Sequence, residues 1–152
     1  MAGLKGTYEG KVDAKGRVSI PSKCRKLLPG QLVVAKHSNK DLPALVVYPE
    51  DGFDEWSDKL LASMGGERVN DALQVQLLDE FYKAAFDAVP DDLGRITIPT
   101  YLREYAGIEH QVVITGARDH LIIRTPQMLE RYEAGFAKNK VYNDQPASTP
   151  VE

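Results

Sequence analysis

Val12-Asp-Ala-Lys-Gly-Arg-Val-Ser-Ile-Pro21 returns later in the chain as Pro90-Asp-Asp-Leu-Gly-Arg-Ile-Thr-Ile-Pro99. Asp, Gly, Arg, an aliphatic-hydroxyl-Ile triplet and Pro recur in the same order, 78 residues apart. The same offset brings Ser22 onto Thr100, Cys24 onto Leu102 and Arg25 onto Arg103, so the match runs on into the next element. The chain is built from two related units. Two such half-domains can pair about a pseudo-twofold axis, each burying the apolar face the other leaves open. Function is then expected where the copies differ.

Each copy reads as β-β-α-β-β. Thr7 to Val12 has strand character, Asp13-Ala-Lys-Gly16 is a turn in which Gly16 takes positive φ without steric cost, and Arg17 to Ile20 is expected to return as the partner strand. Val18 and Ile20 then share one face, Arg17 and Ser19 the other. Pro21 stops the pairing and suits the first turn of a short helix, Ser22 to about Leu28, before strands at Leu32–Ala35 and Leu45–Tyr48. The second copy repeats the order with Arg95–Ile98, a helix from Pro99 to Ala106 stopped by Gly107, and strands at Val112–Ile114 and Leu121–Ile123. Between the copies, Phe53, Trp56, Leu60, Leu61 and Met64 follow a helical stripe; Gly65-Gly66 breaks it, and Val69, Leu73, Leu77, Phe81 and Phe86 resume another. These helices are expected to pack on the repeats or on a neighbouring subunit. The resulting organisation is a first repeat over 7–50, a helical linker over 51–84, a second repeat over 85–128, and a C-terminal helix with a disordered tail over 129–152, where Pro146 and Pro150 sit among few apolar residues.

Composition narrows the function. The 152 residues are 43% hydrophobic and 27% charged, as in an ordinary globular domain, and no apolar run is long enough to span a bilayer. Met1 to Gly6 lacks the apolar core of a secretory signal, and one cysteine makes no internal disulfide, so a cytoplasmic location and no membrane partner are expected. A net charge of −3 argues against a general nucleic-acid binder, but its distribution reverses that impression. Residues 5–26 hold Lys5, Lys11, Lys15, Arg17, Lys23, Arg25 and Lys26 against two carboxylates, a balance of +5. The matching window, 83–104, holds three cations against four carboxylates, a balance of −1.

The Asp-x-x-Gly-Arg-aliphatic-x-aliphatic-Pro signature, present twice around a helical linker, resembles the MraZ family of bacterial transcriptional regulators, over roughly residues 4 to 130. The resemblance implies a mixed β fold with α-helices: a double-split, swapped-hairpin β-barrel of the AbrB/MazE type, made from the two repeats, with helices between and after them. It also implies a homo-oligomeric ring, nucleoid-associated, that binds direct repeats in the promoter of the division and cell-wall gene cluster, its own gene included. In the family the first turn carries the DNA-contacting cations, here Lys15 and Arg17. Two departures stand out: the usual aromatic-basic-Gly start is Leu4-Lys5-Gly6, and the C-terminal tail has no counterpart.

The residues themselves fit that implication. A turn bearing Lys15 and Arg17 is narrow enough for the major groove, where Arg makes a bidentate contact with guanine and Lys supplies a point charge. Lys5 and Lys11 flank it on the adjoining strand, and Lys23, Arg25 and Lys26 on the short helix reach for phosphates and fix orientation. Asp13 and Asp91 read as turn-capping groups that pair with Arg17 and Arg95, so Asp13, Gly16, Asp91, Gly94 and Arg95 form a structural motif, and Arg17 admits that same role. The second copy keeps Asp91 and Arg95 but has Leu93 for Lys15 and Val89 for Lys11. Retention of the motif there is architectural, and the surplus lysines of the first copy are left to explain.

Enzymatic readings find little support. An Asp13–Asp91 dyad sharing a proton needs carboxylates free of a permanent cation, and each Asp stands four residues from an Arg across a tight turn. Cys24, aligned with Leu102, belongs in the core rather than at a nucleophilic site, and His37, His110 and His120 lack metal-ligand spacing. No enzyme activity, cofactor, metal or small-molecule substrate is expected. An antitoxin-like interaction module of the same fold is the remaining alternative, disfavoured by the doubling of the repeat.

Overall fold

The two repeats pair with each other through their shortest strands. In the computed structural model, which describes residues 3–63 and 71–138, β1 (Thr7–Lys11) and β2 (Arg17–Ser19) do not pair with each other across the turn between them. The expected local hairpin is replaced by pairing with the other repeat. Strand β2 lies antiparallel to β6 (Arg95–Thr97), with Val18 opposite its own counterpart Ile96. Two further backbone bonds extend the ribbon, Ile20 N–H to Gly94 C=O and Ile98 N–H to Gly16 C=O, both 2.8 Å. The physical reason is burial. A three-residue strand folded on its own repeat hides little, whereas crossing places Val18, Ile20, Ile96 and Ile98 at 1% exposure or less, each contributing on the order of 1.5–3 kcal/mol.

The remaining strands form one antiparallel sheet. After a 3-10 helix, Ser22–Leu27, come β3 (Leu32–Lys36) and β4 (Leu45–Pro49); β5 (Phe86–Ala88), β7 (Gln111–Gly116) and β8 (Leu121–Arg124) belong to the second half. Their order is β1-β7-β8-β4-β3-β5, so each half's first strand lies against the other half's third: Gly10 faces Val112 and Ala88 faces Leu32. The six strands do not close into a barrel among the described residues, since β1 and β5 are edges and β2–β6 is a separate two-stranded sheet. Phe86, expected to close a helical stripe, instead opens β5, the counterpart of β1.

Both faces of the sheet are covered, which explains the continuous apolar runs of β3 and β4. One face, with Leu32, Val34, Leu45, Val47, Val112, Ile114, Leu121 and Ile123, meets the β2–β6 ribbon, Cys24 and Leu102. Leu102 lies on α3 (Thr100–Ala106). The other face carries Val33, Ala35, Val46 and Tyr48, against which α1 (Glu50–Ser63) and α2 (Asp71–Tyr82) set Phe53, Trp56, Leu60 and Phe81. The linker aromatics thus fill a second core of the same chain. The expected C-terminal helix is α4, Pro126–Lys138, which begins three residues before the 129 boundary; Met64, Gly65, Gly66, Val69 and the tail from Asn139 lie outside the described residues.

Candidate nucleic-acid interface

The first turn is held by one carboxylate. Asp13 Oδ1 accepts the backbone N–H groups of Lys15 and Arg17, both at 2.9 Å, while Oδ2 accepts Arg17 Nε–H at 2.7 Å. Gly16, at φ +79°, closes the turn with its N–H on the Asp13 carbonyl at 3.0 Å, a backbone geometry that disfavours side chains with a Cβ. The backbone bond from Arg17, then the Arg17 side chain and the Lys15 N–H, hold the Asp13 carboxyl below its ordinary range against opposing desolvation.

The second turn repeats this arrangement atom for atom. Asp91 Oδ1 accepts the N–H groups of Leu93 at 3.0 Å and Arg95 at 2.9 Å; Oδ2 accepts Arg95 Nε–H at 2.8 Å, and Gly94 has φ +78°. The Arg95 backbone bond leads the causes that lower Asp91. Register puts the two turns at opposite ends of the β2–β6 ribbon, because Arg17 faces Thr97 and Arg95 faces Ser19. The two aspartates therefore form no dyad, and each is committed to its own arginine.

The pairing of β2 with β6 also sets an arginine of each repeat beside the other repeat's turn. Arg25 donates Nε–H to Ile20 C=O at 3.0 Å and lies over Gly94, in the space a Cβ there would need. Arg103 donates to Ile98 C=O at 2.9 Å and to Thr100 Oγ1 at 3.0 Å, and lies over Gly16. Arg25 thus belongs to the second turn, and the cation delivered beside the first turn is Arg103. Sequence reading missed Arg103 because only the crossed pairing brings it there; its alignment with Arg25 was the available signal.

The predicted residues separate into three groups. Lys15 and Arg17 stand at the first turn, Lys15 exposed at the tip and Arg17 half-buried with Nε engaged. Lys11 ends β1 near the turn, opposite Gln111, and lines a groove with Glu9 and Pro126. Lys5 lies beyond the far end of β1, where Leu4 bridges to Arg118, and Lys23 is exposed on the same 3-10 helix as Arg25. At the places matching Lys11 and Lys15, the second half presents Val89 and Leu93, 68% and 62% exposed. Those two apolar side chains flank Asp91 and Asp92, so the two ends of the ribbon share a frame and differ in chemistry.

Among the described residues no group of three or more His, Cys, Asp or Glu side chains is arranged to hold a metal, and no helix is long and apolar enough to cross a membrane. Residues 81–148 match the family model described as "MraZ protein, putative antitoxin-like". Among curated relatives, proteins named "Transcriptional regulator MraZ" from Nocardioides sp. and Thermobifida fusca are each 36% identical to this chain. The first alignment spans 146 residues, 95% of this chain and 96% of the relative; the second spans 130, 85% of each. A protein of the same name from Salinispora tropica is 34% identical over 129 residues, 85% of this chain and 86% of the relative. The doubled turn motif and these alignments agree, and the chain belongs to the MraZ family.

Proposed function

We propose that this protein is a sequence-specific DNA-binding transcriptional regulator, not an enzyme, and that it reads DNA with the first-repeat turn. The observation that carries the reading is the contrast between the ends of the ribbon. Asp13 and Asp91 build the same turn, yet only the first end has Lys15 at its tip and Lys11 behind it. Architecture accounts for the aspartates and the paired arginines; it does not account for the lysines. Lys15 enters the major groove, Arg17 follows with the guanidinium edge left over from Asp13, and Arg103 supplies charge from the other repeat. Lys11, behind the tip, and Lys5, Lys23 and Arg25, farther from it, have a lesser part, through phosphates.

The name shared by the relatives supports the regulatory role, and the crossed pairings of β1, β2 and β5 support a swapped-hairpin barrel whose halves are residues 7–50 and 85–128, joined by 51–84 and followed by 129–152. One turn covers too little DNA for tight specific binding, so the working form is a homo-oligomeric ring presenting several turns to tandem promoter repeats. Its target is the division and cell-wall gene cluster that includes its own gene, and it acts in the cytoplasm at the nucleoid. Binding to DNA from upstream of its own gene, against scrambled DNA of equal length, tests the reading. Preference for the upstream DNA, lost when the spacing between boxes changes by half a helical turn, is expected; equal affinity for both DNAs overturns it. The family description, "antitoxin-like", favours a second reading as a protein-binding module, in which neither DNA is preferred.

A further inference from the structure

The two halves differ in what covers their last helix. Val46 faces Ile122 across β4 and β8, and α1 and α4 begin at Glu50 and Pro126, the same 76 residues apart. The helices α1 and α4 are therefore counterparts, with Trp56 matching Tyr132. In the first half α2 completes the packing: Phe81 meets Trp56 edge-on, ring centroids 5.0 Å apart. The second half has no helix corresponding to α2 among the described residues. Tyr132 remains 39% exposed, and beneath its ring lies the guanidinium of Arg124, Cζ 4.3 Å from the centroid. Arg124 is 5% exposed, donates from Nη1 to Thr115 Oγ1 at 3.4 Å, and has its Nε buried without an acceptor.

We propose that α2 of a second copy of this chain packs across α4, taking on Tyr132 the place that α2 takes on Trp56 within the chain. The inference rests on the homo-oligomeric reading above and assigns its contact faces. Helix α2 suits the role because it is apolar on more than one side. Phe81 is turned to its own sheet, whereas Val75, 64% exposed, continues from Leu78 along another edge. The contact is an apolar one, since Asp79 and Glu80 of α2 are already paired with Lys83, and Glu80 also with Lys40, within the chain. Because seat and plug are different surfaces, the contact is head-to-tail and propagates into a closed ring or an open filament.

Analytical ultracentrifugation of the full chain, its Val75→Glu and Tyr132→Glu variants, and an equimolar mixture of the two tests this. The expected result is an assembled wild type, single variants at the mass of one chain, 16.9 kDa, and a mixture that stops at two chains, since each variant keeps one intact face. Circular dichroism verifies folding, and Val75→Gln or Tyr132→Gln replaces any variant that loses helix. A wild type at one-chain mass overturns the oligomeric reading itself. An assembled wild type whose variants keep its mass, or a mixture no heavier than either variant alone, overturns the α2–α4 contact and leaves that reading standing.

Discussion

The two ends of the β2–β6 ribbon hold the same turn and present opposite surfaces. Asp13 and Asp91 make the same three hydrogen bonds within 0.1 Å of each other, and Gly16 and Gly94 differ by one degree in φ. Around these frames the first end sets Lys15 and the second Leu93. The pair works as an internal control: whatever both ends share is needed to fold, and what only one end has is free to bind. A bare motif match does not separate these roles, because Arg17 and Arg95 both satisfy it.

The comparison can be broken most severely at the ribbon that both ends share. Ile96 has no exposed surface and faces Val18 across the pseudo-twofold. Ile96→Ala is expected to lower unfolding free energy by about 2–5 kcal/mol and, because the ribbon belongs to both halves, to do so in one cooperative transition in urea. Separate melting of the two halves would contradict the crossed architecture. A smaller effect separates the arginines. Arg17→Ala and Arg95→Ala are both expected to lower thermal stability, each removing the arginine of its turn, but only Arg17→Ala is expected also to weaken specific DNA binding of the folded protein, by about 1–3 kcal/mol per turn. Equal binding losses in the two variants would erase the distinction between the ends.

Acid sharpens the shared side of the comparison. The folded-state pKa of Asp13 and of Asp91 lies below the ordinary value of 3.8. Their contribution to stability is therefore fully present above pH 3.8 and is lost as pH falls through the lower folded values. Asp13→Asn and Asp91→Asn are each expected to flatten the loss of stability below pH 4, to similar extents, in a pH series of thermal melts. A clear inequality would mean that the turns are not energetically equivalent.

Much of this frame was legible because it is local. Asp at the start of the turn, Gly before Arg and Pro after the triplet each fix one element of backbone, and they recur at one offset. Pairing partners were not legible, since the alternation of Val18 and Ile20 suits a local hairpin and a crossed ribbon equally well. That ambiguity misplaced Arg25 and hid Arg103, whose place beside Gly16 follows only from the crossing. Strand β5 was implied by the repeated β-β-α-β-β order but not by its own residues: Phe86 continues the helical spacing of Leu77 and Phe81, and three residues are too few to show a period of two. Lys15, whose exposure depends only on its own turn, was readable throughout.

The central claim is that Lys15 binds DNA from a frame whose twin does not. Fluorescence anisotropy on the DNA upstream of the gene, across a salt series, tests it with Lys15→Leu, which gives the first turn the second turn's residue, beside Leu93→Ala. The account predicts at least a tenfold loss of affinity for Lys15→Leu, about 1.4 kcal/mol, with the slope of log K against log salt flattened by about 1, and no change for Leu93→Ala. Undiminished binding by Lys15→Leu, or equal losses in the two variants, would contradict it.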